Sequence, residues 1–185
     1  KCVRIIAGTC RGRKIASPTG LNTRPTLTRI KASLFSKLQF ALPGARVLDL
    51  YAGSGSLGLE ALSRGASYAV FNDKNPGCCA IIKSNLEALG FVQSALVLQM
   101  DALAALAHLK DETAFDLVFL DPPYKSSAKA ALIKLFDLGL VAKGGLAVVE
   151  HAWAEHPKAE NSLMVLEDAR KYGDKGLSFF TPYKP

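Results

Sequence analysis

The stretch that indicates the fold most clearly is VLDLYAGSGSLG, at residues 47–58. It passes from an apolar run, through a loop that contains Gly53 and Gly55, into residues that favour a helix. A strand, a glycine-rich loop and a helix in this order form the first unit of a doubly wound α/β fold. We therefore predict a parallel sheet whose ligand site lies at the carboxyl ends of the strands.

Around this unit the chain alternates apolar runs with amphipathic runs. The runs that predict strands lie at 46–51, 67–72, 94–99, 115–120 and 145–150. The runs that predict helices lie at 56–64, 75–89, 102–109 and 126–137. Strands that are apolar throughout and separated by helices indicate a parallel sheet covered on both faces.

The end of the chain follows a different pattern. Two β-like runs, at 162–170 and 175–181, flank Tyr172-Gly173-Asp174 and favour an antiparallel hairpin. The predicted fold class is therefore α/β, with a doubly wound, mostly parallel seven-stranded sheet that ends in an antiparallel hairpin.

The first 43 residues predict a small basic extension in front of the sheet. Residues 3–16 favour a β-hairpin, and residues 17–25 favour a loop. A helix is expected from Thr26 to about Leu42, where Pro43-Gly44 would end it. The basic residues that lie off its apolar stripe are Arg29, Lys31 and Lys37. We predict two parts, an extension at 1–43 and a sheet domain at 44–185.

The charge of the chain is unevenly distributed. Its 185 residues have a formal net charge of +7, yet residues 1–46 carry ten Lys or Arg and no acidic residue. Asp49 is the first carboxylate, and the remaining 139 residues carry 13 basic and 16 acidic groups. A charge concentrated in one part of a chain is typical of a surface that binds a polyanion. The alternative is a solvated basic face, but the distribution favours nucleic acid.

Composition excludes several classes of protein. A hydrophobic fraction of 49% excludes intrinsic disorder, and no run approaches the ~20 apolar residues of a membrane span. The first residues of the sequence do not have the pattern of a secretory signal, and we expect none. The four cysteines and three histidines show no metal-ligand spacing. We expect a cytoplasmic monomer that binds no metal and no membrane.

The glycine loop admits two interpretations. Gly53 to Gly58 matches the dinucleotide-binding pattern, and Asp73 lies 20 residues beyond Gly53, so an NAD-dependent dehydrogenase has to be considered. However, Asp49 would repel a pyrophosphate, and the loop has no Lys or Arg to balance phosphates. A carboxylate there suits a cationic ligand instead, such as a sulfonium that carries an α-amino group.

The pattern D-L-x-A-G-x-G, followed by an acidic residue after the second strand, resembles the S-adenosylmethionine site of Rossmann-like class I methyltransferases. The resemblance implies that Gly53 and Gly55 allow close approach of the backbone, that Asp73 accepts from the ribose hydroxyls and that Asp101 lies near the adenine. An alternative for Asp101 is a helix cap for 102–109. The cofactor-binding residues expected on this basis are Asp49, Tyr51, Gly53, Gly55, Asp73 and Asp101.

A second motif, Asp121-Pro122-Pro123-Tyr124, follows the strand at 115–120. It suits methylation of an exocyclic base amine, whose lone pair is delocalised into the ring. If Asp121 and the Pro122 carbonyl each accept one N–H, the nitrogen can direct its lone pair at the methyl group. Asp121 would also offset the positive charge that develops on nitrogen, and Tyr124 would stack on the base. The alternative is a Pro-Pro turn with a core tyrosine, and the glycine loop upstream makes it less favoured.

Segments at the two ends of the chain carry a further resemblance. They are Arg4-Ile5-Ile6-Ala7-Gly8, Arg11-Gly12-Arg13-Lys14, Thr23-Arg24-Pro25-Thr26 with Arg29 and Leu34-Phe35, Lys171-Tyr172-Gly173 and Leu177-Ser178-Phe179. Together they resemble RsmD, the family that methylates guanine N2 in bacterial 16S rRNA. The resemblance implies N2-methylation of one guanine in rRNA of the assembled small ribosomal subunit, with S-adenosylmethionine as donor and S-adenosylhomocysteine as product. Two departures are Asp73, where the family commonly has Glu, and Ala32-Ser33, where it often has an acidic residue.

Within the extension, Arg11, Arg13 and Lys14 are expected to contact RNA phosphates from the hairpin turn. Arg24 and Arg29 could reach RNA or cofactor, or could simply solvate the helix. Two other functions stay open at this point. A DNA adenine-N6 methyltransferase uses the same tetrapeptide but usually needs a target-recognition domain, and a catalytically silent ribosome-assembly factor could share the fold.

Overall fold

The computed structural model describes residues 3–18, 25–122, 125–155, 157–159 and 161–183, without the side chains of 25–27 and 125–127. The chain begins with a short antiparallel pair, β1 (Val3–Arg4) and β2 (Lys14–Ile15), and continues into helix α1 (Pro25–Lys37). The hairpin and helix expected in the extension are therefore present.

Within the described residues, seven further strands form the central sheet. They are β3 (Arg46–Asp49), β4 (Tyr68–Asn72), β5 (Ala95–Leu98), β6 (Phe115–Leu120), β7 (Val141–Ala152), β8 (Met164–Tyr172) and β9 (Lys175–Pro182). Their order is β5-β4-β3-β6-β7-β9-β8, with parallel pairing from β5 to β7. Strand β9 pairs antiparallel with both of its neighbours, β7 and β8. The predicted fold class is confirmed.

Helices cover both faces of this sheet. They are α1, α2 (Ser56–Ser63), α3 (Pro76–Leu89), α4 (Ala102–His108) and α5 (Lys125–Asp137). Because side chains alternate along a strand, Val47 and Phe119 pack in the core with α1, α2 and α3. Their neighbours Leu48 and Leu120 pack on the opposite face with α4 and α5. This two-sided burial explains why the strands are apolar throughout. No helix in the described ranges has the length and apolar character needed to span a bilayer.

The amino-terminal extension shares the core of the sheet domain. Its apolar residues Ile5, Ile15 and Leu34 belong to the same buried cluster as Val47. Gly8 has a φ of +84°, and a Cβ at this position would lie 1.8 Å from the Ser63 carbonyl oxygen. The extension therefore packs closely on α2. The division of the chain into an extension at 1–43 and a sheet domain at 44–185 stays a prediction.

Two predicted boundaries were wrong. Helix α1 ends at Lys37, before Leu42, and the intervening residues form turns that leave Phe40 90% exposed. Strand β7 begins at Val141 rather than at residue 145, with an irregularity in its pairing to β6 between Phe115 and Leu117. Local apolar periodicity does not reveal either end, because tertiary pairing extends β7 and the turns stop α1.

Candidate active site

A cavity of about 1260 Å³ lies at the carboxyl ends of β3 to β7, beneath α1 and the start of the extension, residues 3–7, which we call the amino-terminal arm. It exceeds the roughly 300–1,000 Å³ of an ordinary small-molecule site, so it has room for two ligands side by side. The sequence-predicted residues that line it are Asp49, Tyr51, Gly53, Asp73, Asp101, Asp121 and Pro122. The two motifs of the sequence thus share one cavity.

The glycine loop connects β3 to α2 and borders the cavity. Gly53 and Gly55 have φ values of +56° and +78°, a region that side chains disfavour. A Cβ at Gly53 would meet nothing within 4 Å, so the backbone is open there to a ligand. A Cβ at Gly55 would lie 3.2 Å from Ile82 and 3.4 Å from Phe71. Gly55 therefore faces the protein core, a position that the sequence pattern alone does not distinguish from that of Gly53.

Asp49 is a buried carboxylate, 3% exposed, at the end of β3. The pKa of its carboxyl is raised to about 7, mainly by burial and in part by the negative charges of Asp121 and Asp73. A hydrogen bond of 3.0 Å donated by the Gly58 N–H and the positive charge of Lys31 oppose this rise. A cation bound beside Asp49 would favour the ionised form and lower its pKa.

Asp73 and Asp101, the other two acidic residues expected to bind the cofactor, accept hydrogen bonds from the backbone. Asp73 accepts the Gly53 N–H on Oδ2 at 2.8 Å and the Asn75 N–H on Oδ1 at 2.9 Å. Each carboxylate oxygen has a second lone pair, so Asp73 can still accept from hydroxyl groups. Asp101 caps α4 by accepting the Leu103 N–H at 2.9 Å. The alternative of a helix cap at Asp101 is therefore confirmed, on a residue that also lines the cavity.

Asp121 and Pro122 follow β6 and line the same cavity. The Asp121 side chain is open to the solvent of the cavity, but the surrounding protein still raises its pKa to about 7. The negative charge of Glu150 adds to this rise, and the positive charge of Lys175 opposes it. A group with this pKa can change its protonation state near neutral pH. Pro123 and Tyr124 lie outside the described residues.

Lys31 is a cavity residue that the sequence analysis did not identify. It lies off the apolar stripe of α1 as expected, yet it is only 9% exposed. Its Nζ donates to the Ser56 Oγ at 2.9 Å and pairs with Glu60 at 3.0 Å. Burial lowers the pKa of Lys31, and the Glu60 charge opposes this shift. The partners are 25 and 29 residues away in the chain, so the sequence contained no local signal for this burial.

Glu60 connects α2 to both parts of the extension. It is fully buried and accepts the backbone N–H groups of Ile6 at 2.8 Å and Ala7 at 3.0 Å. It also pairs with Lys31 and, at 2.8 Å, with Arg64. Salt bridges and backbone hydrogen bonds therefore hold the arm and α1 over the cavity.

The described basic residues that are expected to bind RNA lie outside the cavity lining. Arg11, Arg13, Lys14 and Arg29 are exposed, whereas Arg24 is not among the described residues. Arg13 donates from Nη2 to the Ala88 carbonyl at 2.6 Å, which anchors the hairpin on the end of α3. If Arg13 also contacts an RNA phosphate as expected, the same guanidinium would make both contacts.

Part of the basic excess in residues 1–46 is neutralised within the protein. Lys37 pairs with Asp168 at 2.9 Å, and Arg46 lies 3.7 Å from Glu112. With the pairing of Lys31 to Glu60, three of the eight basic residues that the structure describes in this stretch have carboxylate partners. Fewer charges are therefore available to a polyanion than the count predicts. Across the described part of the chain, no cluster of three or more His, Cys, Asp or Glu could hold a metal ion.

Comparison with known proteins places these features in a family. The family described as "Conserved hypothetical protein 95" matches residues 3–181, which include the extension and both motifs. The chain belongs to the RsmD family. The resemblance carried by the two ends of the sequence is thereby confirmed.

Relatives of this RsmD-family chain have methyltransferase names. The chain is 39% identical over 181 residues to YlbH of Bacillus subtilis, which is provisionally named an rRNA methyltransferase. The alignment covers 96% of this chain and 98% of YlbH. The chain is also 39% identical over 150 residues to the ribosomal RNA small subunit methyltransferase D of Haemophilus influenzae, which covers 80% and 78% of the two chains. The solved structure of yhhF from Escherichia coli, provisionally named a methyltransferase, matches over the whole of both chains, with a TM-score of 0.88 and 28% identity. These relatives support an enzyme of the methyltransferase class.

Proposed function

We propose that this protein transfers a methyl group from S-adenosylmethionine to the exocyclic N2 amine of a guanine in 16S rRNA, releasing S-adenosylhomocysteine. The observation that carries the proposal is the shared cavity, in which Asp121 lies in the same space as Asp49 and the Gly53 loop. The names of the Haemophilus and Bacillus relatives support rRNA as the substrate class.

The described residues fit this cofactor. The open backbone at Gly53 and the carboxylates along the strand ends suit an extended cationic ligand with hydroxyl groups. Asp49 would bind the α-amino group, Asp73 the ribose hydroxyls and Asp101 the adenine end, with Tyr51 beside them. Gly55, which does not line the cavity, would contribute only through the conformation of the loop. When bound, S-adenosylmethionine supplies an electrophilic methyl group on a sulfonium.

Asp121 and Pro122 would hold the acceptor amine. Two hydrogen bonds from N2, one to the Asp121 carboxylate and one to the Pro122 carbonyl, orient the lone pair toward the methyl group. Positive charge then develops on N2, and the nearby carboxylate stabilises it. The raised pKa of Asp121, about 7, also suits it to accept the N2 proton at neutral pH. We propose that Tyr124 stacks on the base.

The extension would hold the RNA. Exposed Arg11, Arg13 and Lys14 on the hairpin suit phosphate contacts, and Arg24 and Arg29 are further candidates. The target guanine has to leave its stack to reach the cavity, so base extrusion is part of the proposal. The small ribosomal subunit as partner, the monomeric state and the cytoplasmic location stay predictions.

The test is to incubate the protein with radiolabelled S-adenosylmethionine and small subunits, naked 16S rRNA or DNA, and to digest the products to nucleosides. Label in N2-methylguanosine supports the proposal. Label confined to N6-methyladenosine would contradict it, and no label with any substrate would favour a silent assembly factor. The exposed variant Asp111→Asn is the control for purification and handling, because residue 111 lies outside the cavity lining.

A further inference from the structure

Glu150 is a cavity residue to which the proposed reaction assigns no role. It lies in β7, beside the end of β6, where Leu120 pairs in parallel register with Val149. The residues that follow this pair are Asp121 and Glu150. The two carboxylates therefore emerge from adjacent strands, whose backbones are about 4.8 Å apart.

Asp121 and Glu150 also face the same side of the sheet. The residues two positions earlier, Phe119 and Val148, both belong to the core cluster beneath α1. Leu120 and Val149 belong to the cluster on the opposite face. Because side chains alternate, Asp121 and Glu150 continue the α1 face, and both line the cavity there. Two adjacent carboxylates thus point at the space where the acceptor base would lie.

Glu150 is held by a cation from the neighbouring strand. Lys175, at the start of β9, donates from Nζ to the Glu150 Oε1. The Glu150 side chain is 14% exposed and that of Lys175 is 43% exposed. Lys175 therefore orients the Glu150 carboxylate and supplies positive charge beside two acidic groups, while its own ammonium stays near solvent.

Guanine and adenine differ in what they offer to such a carboxylate. Guanine has an N–H donor at N1, next to the N2 amine, whereas N1 of adenine has a lone pair and accepts. With N2 held at Asp121, the neighbouring N1–H of guanine would meet the next carboxylate along the sheet. An adenine would leave that carboxylate facing a lone pair, and a site built for a donor rejects a base that lacks it.

We propose that Glu150 accepts the N1–H of the target guanine, with Lys175 as the residue that positions it, so that this pair selects guanine over adenine. The inference rests on the proposed function and deepens it, since Asp121 by itself would accept an amine from either base. It assigns the choice of base to the end of β7 rather than to the tetrapeptide that follows β6.

The test changes the hydrogen-bonding group at N1 of the target base and, separately, the one at residue 150 of the protein. After the methylated guanine has been mapped with the wild-type protein, small subunits are prepared with 2,6-diaminopurine at that position. This base retains the N2 amine but has an acceptor at N1. The wild type is expected to methylate it about 10⁴-fold more slowly than guanine. Glu150→Gln, whose amide can donate to N1, is expected to lose about 100-fold on guanine and to methylate diaminopurine faster than the wild type does.

Three further variants make the result specific. Glu155→Gln is the matched control, because it makes the same substitution at an exposed position just after β7 and should keep the wild-type preference. Lys175→Met leaves the Glu150 carboxylate in place and should lower the ratio of guanine to diaminopurine rates, with Lys175→Arg restoring it. A purely structural role for Lys175 would change both rates equally.

The outcomes separate the two proposals. Unchanged base preference in Glu150→Gln and in Lys175→Met would overturn the role of this pair while leaving guanine methylation intact. Affinity for S-adenosylhomocysteine, measured by calorimetry, should stay within about twofold in both variants, because neither residue is among those proposed to hold the cofactor. If the wild-type protein methylates neither subunits nor rRNA, the proposed function fails first, and the inference about Glu150 fails with it.

Discussion

At the scale of single residues, the cavity combines two carboxyl groups whose pKa values are both raised to about 7. Asp49 is enclosed by protein, whereas Asp121 opens to the cavity and is raised in part by Glu150. Acidic groups with raised pKa values that face one cavity are candidates for a functional site. They suit different tasks, since Asp49 would respond to a bound cation and Asp121 to a developing positive charge.

Asp121→Ala should abolish turnover and leave the affinity for S-adenosylhomocysteine nearly unchanged, because the proposed contacts of Asp121 are with the acceptor amine. Single-turnover methyl transfer and calorimetric binding, measured side by side with Asp111→Asn, give the two quantities. A large loss of binding would show that Asp121 belongs to the cofactor site instead.

Asp49→Asn should stabilise the fold at pH 8. The folded-state pKa of Asp49, about 7, lies above the ordinary 3.8, so ionisation of this group opposes folding as the pH rises through 7. We expect a gain of about 2–4 kcal/mol in the free energy of unfolding at pH 8, which disappears below about pH 4, where the carboxyl is protonated in both states. Urea unfolding across this range measures it. A gain that is equal at every pH would contradict the raised pKa.

At the scale of secondary-structure elements, α2 organises the site from both of its sides. Its first turn receives the Lys31 ammonium at Ser56, and its middle carries Glu60, which the arm and α1 both contact. The buried Glu60 carboxylate therefore links the amino-terminal arm and α1, which cover the cavity, to α2. Removing one partner of a buried pair leaves an uncompensated charge, which costs about 3–5 kcal/mol.

Glu60→Gln should lower the melting temperature by about 10 °C, since Lys31 and Arg64 would both lose their counter-charge. Glu87→Gln, an exposed substitution of the same kind on α3, should shift it by less than about 2 °C. Thermal unfolding followed by circular dichroism compares the two. Equal shifts would mean that the Glu60 network contributes no more than a surface charge.

At the scale of the whole molecule, the net charge of +7 divides between an extension and a sheet domain that share one core. Lys31, Lys37 and Arg46 are paired internally, so the accessible part of the basic excess includes Arg11 and Lys14 on the hairpin and Arg29 on α1. This surface adjoins the cavity through the arm, whose residues Ile5 and Ile6 line it. RNA bound there could deliver a base to the strand ends.

Arg11→Ala and Lys14→Ala should each weaken RNA binding and lower the magnitude of the slope of log affinity against log salt by about 0.7–0.9. The reason is that RNA binding releases fewer counterions when one phosphate contact is missing. Filter binding over a range of salt concentrations gives the slope. Lys110→Ala removes an exposed charge just before β6, at the end of the sheet away from the cavity, and should leave the slope unchanged. If the hairpin variants also leave it unchanged, the RNA surface lies elsewhere.

The sequence predicted most of the fold because its decisive signals are local. The apolar run before Gly53 marks β3, the alternation that follows marks a parallel sheet, and Tyr172-Gly173-Asp174 marks the closing hairpin. The same locality identified Asp73 and Asp121, which directly follow predicted strands, and Asp49, which lies in the predicted strand at 46–51 and ends β3 in the structure. A topology in which parallel strands end at one edge brings such residues together without further information.

The structure decided what depends on contacts between distant segments. Only the tertiary fold buries Lys31 against Glu60, turns Gly55 toward the core and sets Glu150 beside Asp121 with Lys175 against it. Burial and pairing of charged side chains depend on which elements meet, and no local pattern encodes partners that lie 25 or more residues apart. The fold and the motifs could therefore be predicted from the chain alone, whereas the charge partners that tune the site could not.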